Sequence, residues 1–359
     1  MERIKANKEI LILLLIVLYL YVIMTMGGCA GKTKGNRYMF TDDLNVALIC
    51  EDYQGEPYLE IAKKGVMDAG KELSMHPKII ALNLNEDTKK INKEMNKAAL
   101  NNNLVIIVGG WLKDAVKVSC RQLRSRNFAV IDQRVMESNV KSVIFKNEEG
   151  AFLMGIIAGG ETKTNKVGFI GGLNDEEGVR FLSGYATGVK EVNEQAYTEL
   201  IDYSQVRYTE DFKDENKAYE KARNLYRNGC DIIFHACGSS GKGVFKAAYE
   251  MNKKAIGVDV DCAEVYPEYK KVIMSSMVKN LDKTILKVCN EIRTGSFKCG
   301  ENNILELGLK EGVFNWAKNT EENVSKETFN NLNKYKEIII EGIIEVPDKR
   351  FKVTEFKIG

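Results

Sequence analysis

Apolar and polar residues alternate along this chain in blocks rather than singly. Ten short apolar runs read as buried strands: 46–50, 79–82, 104–108, 128–131, 143–145, 167–170, 199–203, 232–234, 255–258 and 272–275. Between them lie amphipathic stretches of helical length, at 58–73, 87–100, 113–124, 179–192, 216–227 and 243–251. Strands that are apolar throughout and separated by helices predict a parallel sheet covered on both faces. Ten strands exceed one sheet of ordinary size. The pattern therefore predicts an α/β protein of two doubly wound parallel-sheet lobes. The break is expected near 139–143. On that reading lobe 1 comprises 44–142 and 263–300, and lobe 2 comprises 143–262 and 301–359.

A different pattern precedes the first strand. Arg3, Lys5 and Lys8 lead into an apolar run at 10–26, and Gly27 and Gly28 then precede Cys29. A basic start, a short apolar core and small residues before a cysteine match a bacterial lipoprotein signal. The run falls slightly short of the roughly 20 apolar residues that a transmembrane helix needs. Residues 1–28 are thus expected to be a signal peptide, with Cys29 the acylated N-terminus. The polar, Gly/Lys-rich 29–43 would be a tether. The body would then sit on the extracytoplasmic face of the cell membrane, held by its lipid anchor.

Composition narrows the function. A chain that is 44% hydrophobic and 28% charged makes a globular body. With 52 basic and 50 acidic residues there is no electrostatic case for nucleic acid. The eight cysteines show no CxxC spacing, which argues against a zinc ribbon, and most lie in apolar runs as small buried hydrophobes would. Two histidines, His76 and His235, leave little material for His-based catalysis or a His-rich metal site. No metal or cofactor is expected.

In open α/β sheets ligands bind at the carboxyl ends of the strands. Those positions hold Asp52 and Gln54 after the first strand, Trp111 after Gly109 and Gly110, and Asp132 after the fourth strand. They also hold the turn at 171–175, Gly238 with its neighbours to Gly241, and then Asp259 and Asp261. Carboxylates that accept paired hydroxyl groups beside an aromatic wall suit a sugar or a nucleoside; a base stacked on a ring contributes about 1–3 kcal/mol. The set lacks a nucleophile–base pair, so no enzyme is predicted. Gly241-Lys242 is not a P-loop, because Ala236 and Gly243 stand where glycine and Ser/Thr are required. His235 and Cys237 lie on one face of a strand but are not read as a catalytic pair.

Several stretches together resemble the basic membrane protein family of solute-binding lipoproteins, the purine nucleoside receptors of ABC transporters. They are NVKSVIFKNEEGAFLMG at 139–155, KVGFIGG at 166–172, DIIFHACGSSGKGVF at 231–245, AIGVDVD at 255–261 and SMVK at 276–279. The resemblance spans about 44–347. It implies a type I periplasmic-binding-protein fold with two lobes, three crossovers, a hinge and an interlobe ligand cleft, and an ABC permease as membrane partner. By position, it implies that Asp259 holds ribose hydroxyls and that Lys279 donates to the same sugar. Gly238 would let backbone approach the ligand, and Asp132 would lie near the base. The family's first loop departs here. Tyr58 takes its stacking position, but Gly55 replaces the residue that reads the base and Pro57 a serine. Asp52 or Gln54 is expected to substitute, with Trp111 as a second wall, and purine specificity is left open. The function expected is capture of a nucleoside-like solute for an ABC importer. The alternative is a regulatory lipoprotein of the same fold that senses the ligand and signals through a membrane partner.

Overall fold

The computed structural model describes residues 43–356, apart from 54, 84, 85, 110 and 111. The signal sequence, Cys29 and the tether up to residue 42 lie outside the described residues, as do Gln54 and Trp111.

The chain first runs β1 (Leu44–Glu51), α1 (Pro57–Glu72), β2 (Met75–Leu82), α2 (Thr88–Asn101), β3 (Leu104–Val108), α3 (Lys113–Gln122), β4 (Asn127–Ile131) and β5 (Val140–Phe145). It continues with α4 (Asn147–Glu161), β6 (Val167–Gly171), α5 (Glu176–Val192), α6 (Glu194–Ile201), β7 (Val206–Tyr208), α7 (Glu215–Arg227), β8 (Ile232–Ala236), α8 (Lys242–Glu250), β9 (Lys254–Asp259) and β10 (Ile273–Lys279). The remainder is α9 (Leu281–Arg293), β11 (Leu305–Leu307), β12 (Phe314–Trp316), α10 (Lys326–Ile340) and α11 (Arg350–Glu355). Two six-stranded sheets result, ordered β11-β5-β4-β3-β1-β2 and β12-β10-β9-β8-β6-β7. Their pairings are parallel except for β12 against β10.

Side chains on successive strand residues point to opposite faces, and the core shows it. Val46, Leu48 and Cys50 of β1 join Leu59, Ala62 and Val66 of α1 on one face. Ala47 and Ile49 join Met95 of α2 and Val116 of α3 on the other. Every residue of β3 is buried, which is why its sequence reads as a continuous apolar run. Several helix starts are capped by side chains: the carboxylates of Asp87, Asp175 and Asp214 accept from Lys89, Gly178 and Lys217 backbone N–H groups.

The fold class agrees with the reading from sequence, but the boundary between the halves does not. Val143 pairs with Ile131 of β4, so 143–145 completes the first sheet instead of opening the second. The strand read at 272–275 pairs with β9 in the second sheet, not in the first half. The chain changes halves at three short connections: after Phe145, after Lys279, and between β11 and β12. Only Lys146 and Asn280 separate the first two crossings from the next helix, without the Gly or Pro that would mark a boundary. The run 199–203, read as a strand, closes a helix instead. Asn193 caps that helix through Ala196 N–H, and the strand forms later at Val206–Tyr208. Helix α4 is buried nearly all round and so lacks the one-sided periodicity that reveals a helix in sequence.

Helices α4 and α5 meet backbone to backbone. A Cβ on Gly188 would stand 2.0 Å from the Phe152 carbonyl oxygen, and one on Gly155 would stand 2.2 Å from that of Tyr185. Gly188→Ala must therefore push the helices apart, and overpacking of this kind costs about 1–3 kcal/mol. We expect a lower urea midpoint with an unchanged m-value; an unchanged midpoint would show that the two helices are not in this contact.

Candidate ligand-binding cleft

The carboxyl ends of both sheets face one cleft of about 630 Å³. Asp132 directly follows β4, Asp259 ends β9 and Lys279 ends β10. Asp132 and Asp259 both hold left-handed backbone, with φ of 59° and 67°. That conformation is uncommon outside glycine and costs free energy that packing elsewhere must offset. Two such residues aimed into one cleft mark it as the functional site.

Lys279 is almost fully buried and lies between the two carboxylates. Its Nζ is 3.6 Å from Asp132 Oδ1 and 3.9 Å from Asp259 Oδ1. The ammonium also stands over aromatic faces, 4.6 Å from the centroid of Phe145, 5.3 Å from that of Tyr58 and 6.0 Å from that of Phe181. Tyr58, in the first turn of α1, donates its hydroxyl to Asp132 Oδ2. Burial, and then the Asp132 charge, hold the Tyr58 phenol well above its ordinary range, so it stays a donor. Burial raises the Asp259 carboxyl to about 6; Lys279 pulls it down and Asp132 pushes it up.

Further groups line the cleft. Glu56 is buried, raised by that burial, and accepts the Ser239 hydroxyl from the other half. Glu51 pairs with Lys213, whose ammonium lies 4.8 Å from the centroid of Tyr53. Glu177, in the first turn of α5, accepts from Asn147 Nδ2 at 2.7 Å. Burial first, and the Asp132 charge second, raise its carboxyl to about 7. Gly238 has φ of 55° and carries its backbone to the cleft wall.

Of the residues named from sequence, Tyr58, Asp132, Gly238, Asp259 and Lys279 line this one cleft. Asp52 does not. It is exposed, and the strand's alternation places its neighbour Glu51 in the wall instead. The sequence reading missed Glu56, Asn147, Glu177 and Phe181. Glu177 had been masked by its setting, because acidic residues in a first helical turn behind an Asp cap are ordinary dipole chemistry.

His235 and Cys237 are in contact at 3.8 Å between Nδ1 and Sγ. Burial lowers the imidazole to about 3 and drives the thiol upward, so neither ion forms near neutral pH. The seven described cysteines are unpaired and six of them are buried, as expected of small hydrophobes. No cluster suited to a metal ion occurs among the described residues. No helix among them is long and apolar enough to cross a membrane.

Residues 44–350 match the family described as ABC transporter substrate-binding protein PnrA-like. The chain belongs to that family. It is 33% identical to basic membrane protein D of Borreliella burgdorferi, over 71% of this chain and 74% of that one. It is 29% identical to the CD4+ T-cell-stimulating antigen of Listeria monocytogenes, over 90% and 94%. It is also 29% identical to the ABC transporter nucleoside-binding protein BmpA of Lactococcus lactis, over 68% and 71%. In fold it is similar to an ABC transporter solute-binding protein from Aeropyrum pernix, with a TM-score of 0.72, 20% identity, and coverage of 87% of this chain and 96% of that one. The family membership makes the protein a solute-binding component of an ABC transporter.

The raised Asp259 carboxyl fixes the sign of a pH effect. A group that holds its proton more tightly when folded stabilises fully below its unfolded value, near 3.8 here, and loses that contribution as pH rises through about 6. Lys279 opposes this loss. Lys279→Met should therefore lower the denaturant midpoint more at pH 8 than at pH 5. An equal loss at both values would show that the lysine does not compensate buried carboxylate charge.

Proposed function

We propose that this protein is a lipid-anchored, extracytoplasmic solute-binding protein that captures a nucleoside or a related ribosyl compound and delivers it to the permease of an ABC importer. The observation that carries this reading is Asp259 beside Lys279 at the base of an aromatic-walled cleft. A carboxylate accepts two parallel hydrogen bonds from a vicinal diol, and the ammonium donates to the acceptor oxygens of the same ring. Tyr58 and Phe181 supply faces for a planar base. The name of the Lactococcus relative supports a nucleoside. The mechanism is closure of the two halves about their three connections, with no bond made or broken. The lipid on Cys29, for which the sequence 27–29 is the support, keeps the carrier beside its permease.

The test is a thermal-shift and calorimetric screen of the purified protein against nucleosides, free bases and sugars. Ligand at 100 times its Kd should stabilise by about 2.7 kcal/mol. Hydrogen bonds to a charged group are worth about 1.5–3 kcal/mol each. Asp259→Ala, which removes two of them, should weaken binding on the order of a hundredfold or more. Binding that survives this substitution would refute the ribose assignment, and indifference to all nucleosides would refute the proposal.

A further inference from the structure

We infer that Asp132, Asn147 and Glu177 form an acceptor subsite in this cleft that takes the amino-substituted edge of a nucleobase, so that amino nucleosides bind in preference to their oxo counterparts. This rests on the nucleoside reading above and adds which class of base is taken.

Asn147 opens α4, directly after the chain crosses between the halves, and is 2% exposed on the cleft wall. Its Nδ2 is committed to the Glu177 carboxylate, which fixes the amide's orientation and leaves Oδ1 as the open atom. That oxygen is buried and receives no hydrogen bond among the described residues. A buried acceptor without a donor is unfavourable and calls for one from a ligand. Asp132 repeats the pattern: Oδ2 takes the Tyr58 hydroxyl, while buried Oδ1 receives no hydrogen bond and has Lys279 Nζ only at 3.6 Å. Glu177 adds a third acceptor, with Oε1 3.9 Å from Arg180 Nε. The three come from the end of β4 and the starts of α4 and α5, and so from both halves.

A carbonyl edge placed here would meet oxygen with oxygen. The two N–H bonds of an exocyclic amino group would satisfy two of the acceptors at once, whereas an oxo base offers one ring N–H beside a carbonyl that has no donor here. Lys279 is already shared with Asp259, where the sugar belongs.

The titratable and charged groups facing Glu177 are Asp132 after β4, Tyr58 on α1, Lys279 on β10 and Arg180 on its own helix; Arg180 is itself held by Glu148 of α4 at 3.2 Å. With its carboxyl raised to about 7, donors on the ligand favour the ionised form. Binding of an amino nucleoside should then tighten as pH rises through about 7, with release of a proton.

The experiment is calorimetry on the full-length protein with adenosine against inosine and cytidine against uridine, at pH 6 and pH 8, in wild type and Glu177→Gln. We expect at least one amino member to bind roughly tenfold more tightly than its oxo partner, with the preference larger at pH 8. In Glu177→Gln, whose amide can present N–H to a carbonyl, the preference should narrow or reverse and its pH dependence should vanish. Nucleosides bound with the same amino-to-oxo ratio in both proteins and at both pH values would overturn the subsite and leave the nucleoside reading intact. Binding of none of the four would overturn both. If the variant fails to fold, the wild-type pH series decides: a preference that is flat between pH 6 and 8 overturns the inference.

Discussion

The cleft depends on one buried cation. Lys279 stands between a carboxylate from each half, Asp132 on the first sheet and Asp259 on the second, and over aromatic rings. Removing one partner of a buried charge pair leaves the other uncompensated, at about 3–5 kcal/mol in fully buried cases. The partial exposure of Asp132, at 27%, tempers that figure here. The arrangement explains why two aspartates are kept in left-handed backbone at strand ends. Burial is the main reason that carboxyl groups nearby hold protons to unusually high pH, and the Asp132 charge adds to it. Their charge exceeds what one lysine neutralises, and hydrogen-bond donors on a ligand complete the balance.

Among the described residues, the other polar contacts between halves at the cleft include two weak ones. Glu51–Lys213 includes a lysine that is 39% exposed, and such pairs contribute about 0–1 kcal/mol. The Glu56–Ser239 hydrogen bond adds about 1 kcal/mol net at most sites of its kind. Beyond the Asp132–Lys279 pair, opening therefore gives up little, and the ligand's own hydrogen bonds favour the closed state. A transporter component needs this property, because the same contacts must be given up at the permease.

The fold was legible in the sequence because its signal is simple. Parallel strands buried on both faces give continuous apolar runs, and amphipathic helices give one-sided ones. What escaped had an identifiable physical reason. Helix α4 is apolar on every side, so it shows no period. The crossings after Phe145 and Lys279 are single residues without turn chemistry, so the boundary between the halves was set too early. At the site, the aspartates and the lysine at strand ends could be found from pattern and family resemblance. Asp52 could not be told from Glu51, since a one-residue change of register reverses which side chain faces the cleft. Asn147 and Glu177 belong to helix starts in the far half, and only folding brings them beside Asp132.

The central claim is that Asp259 and Lys279 bind the hydroxyls of a ribose. The most direct test is calorimetry of the wild-type protein with a ribonucleoside and its 2′,3′-dideoxy counterpart. Loss of the paired hydroxyl contacts should weaken binding by at least tenfold. Equal affinity for the two would contradict the account.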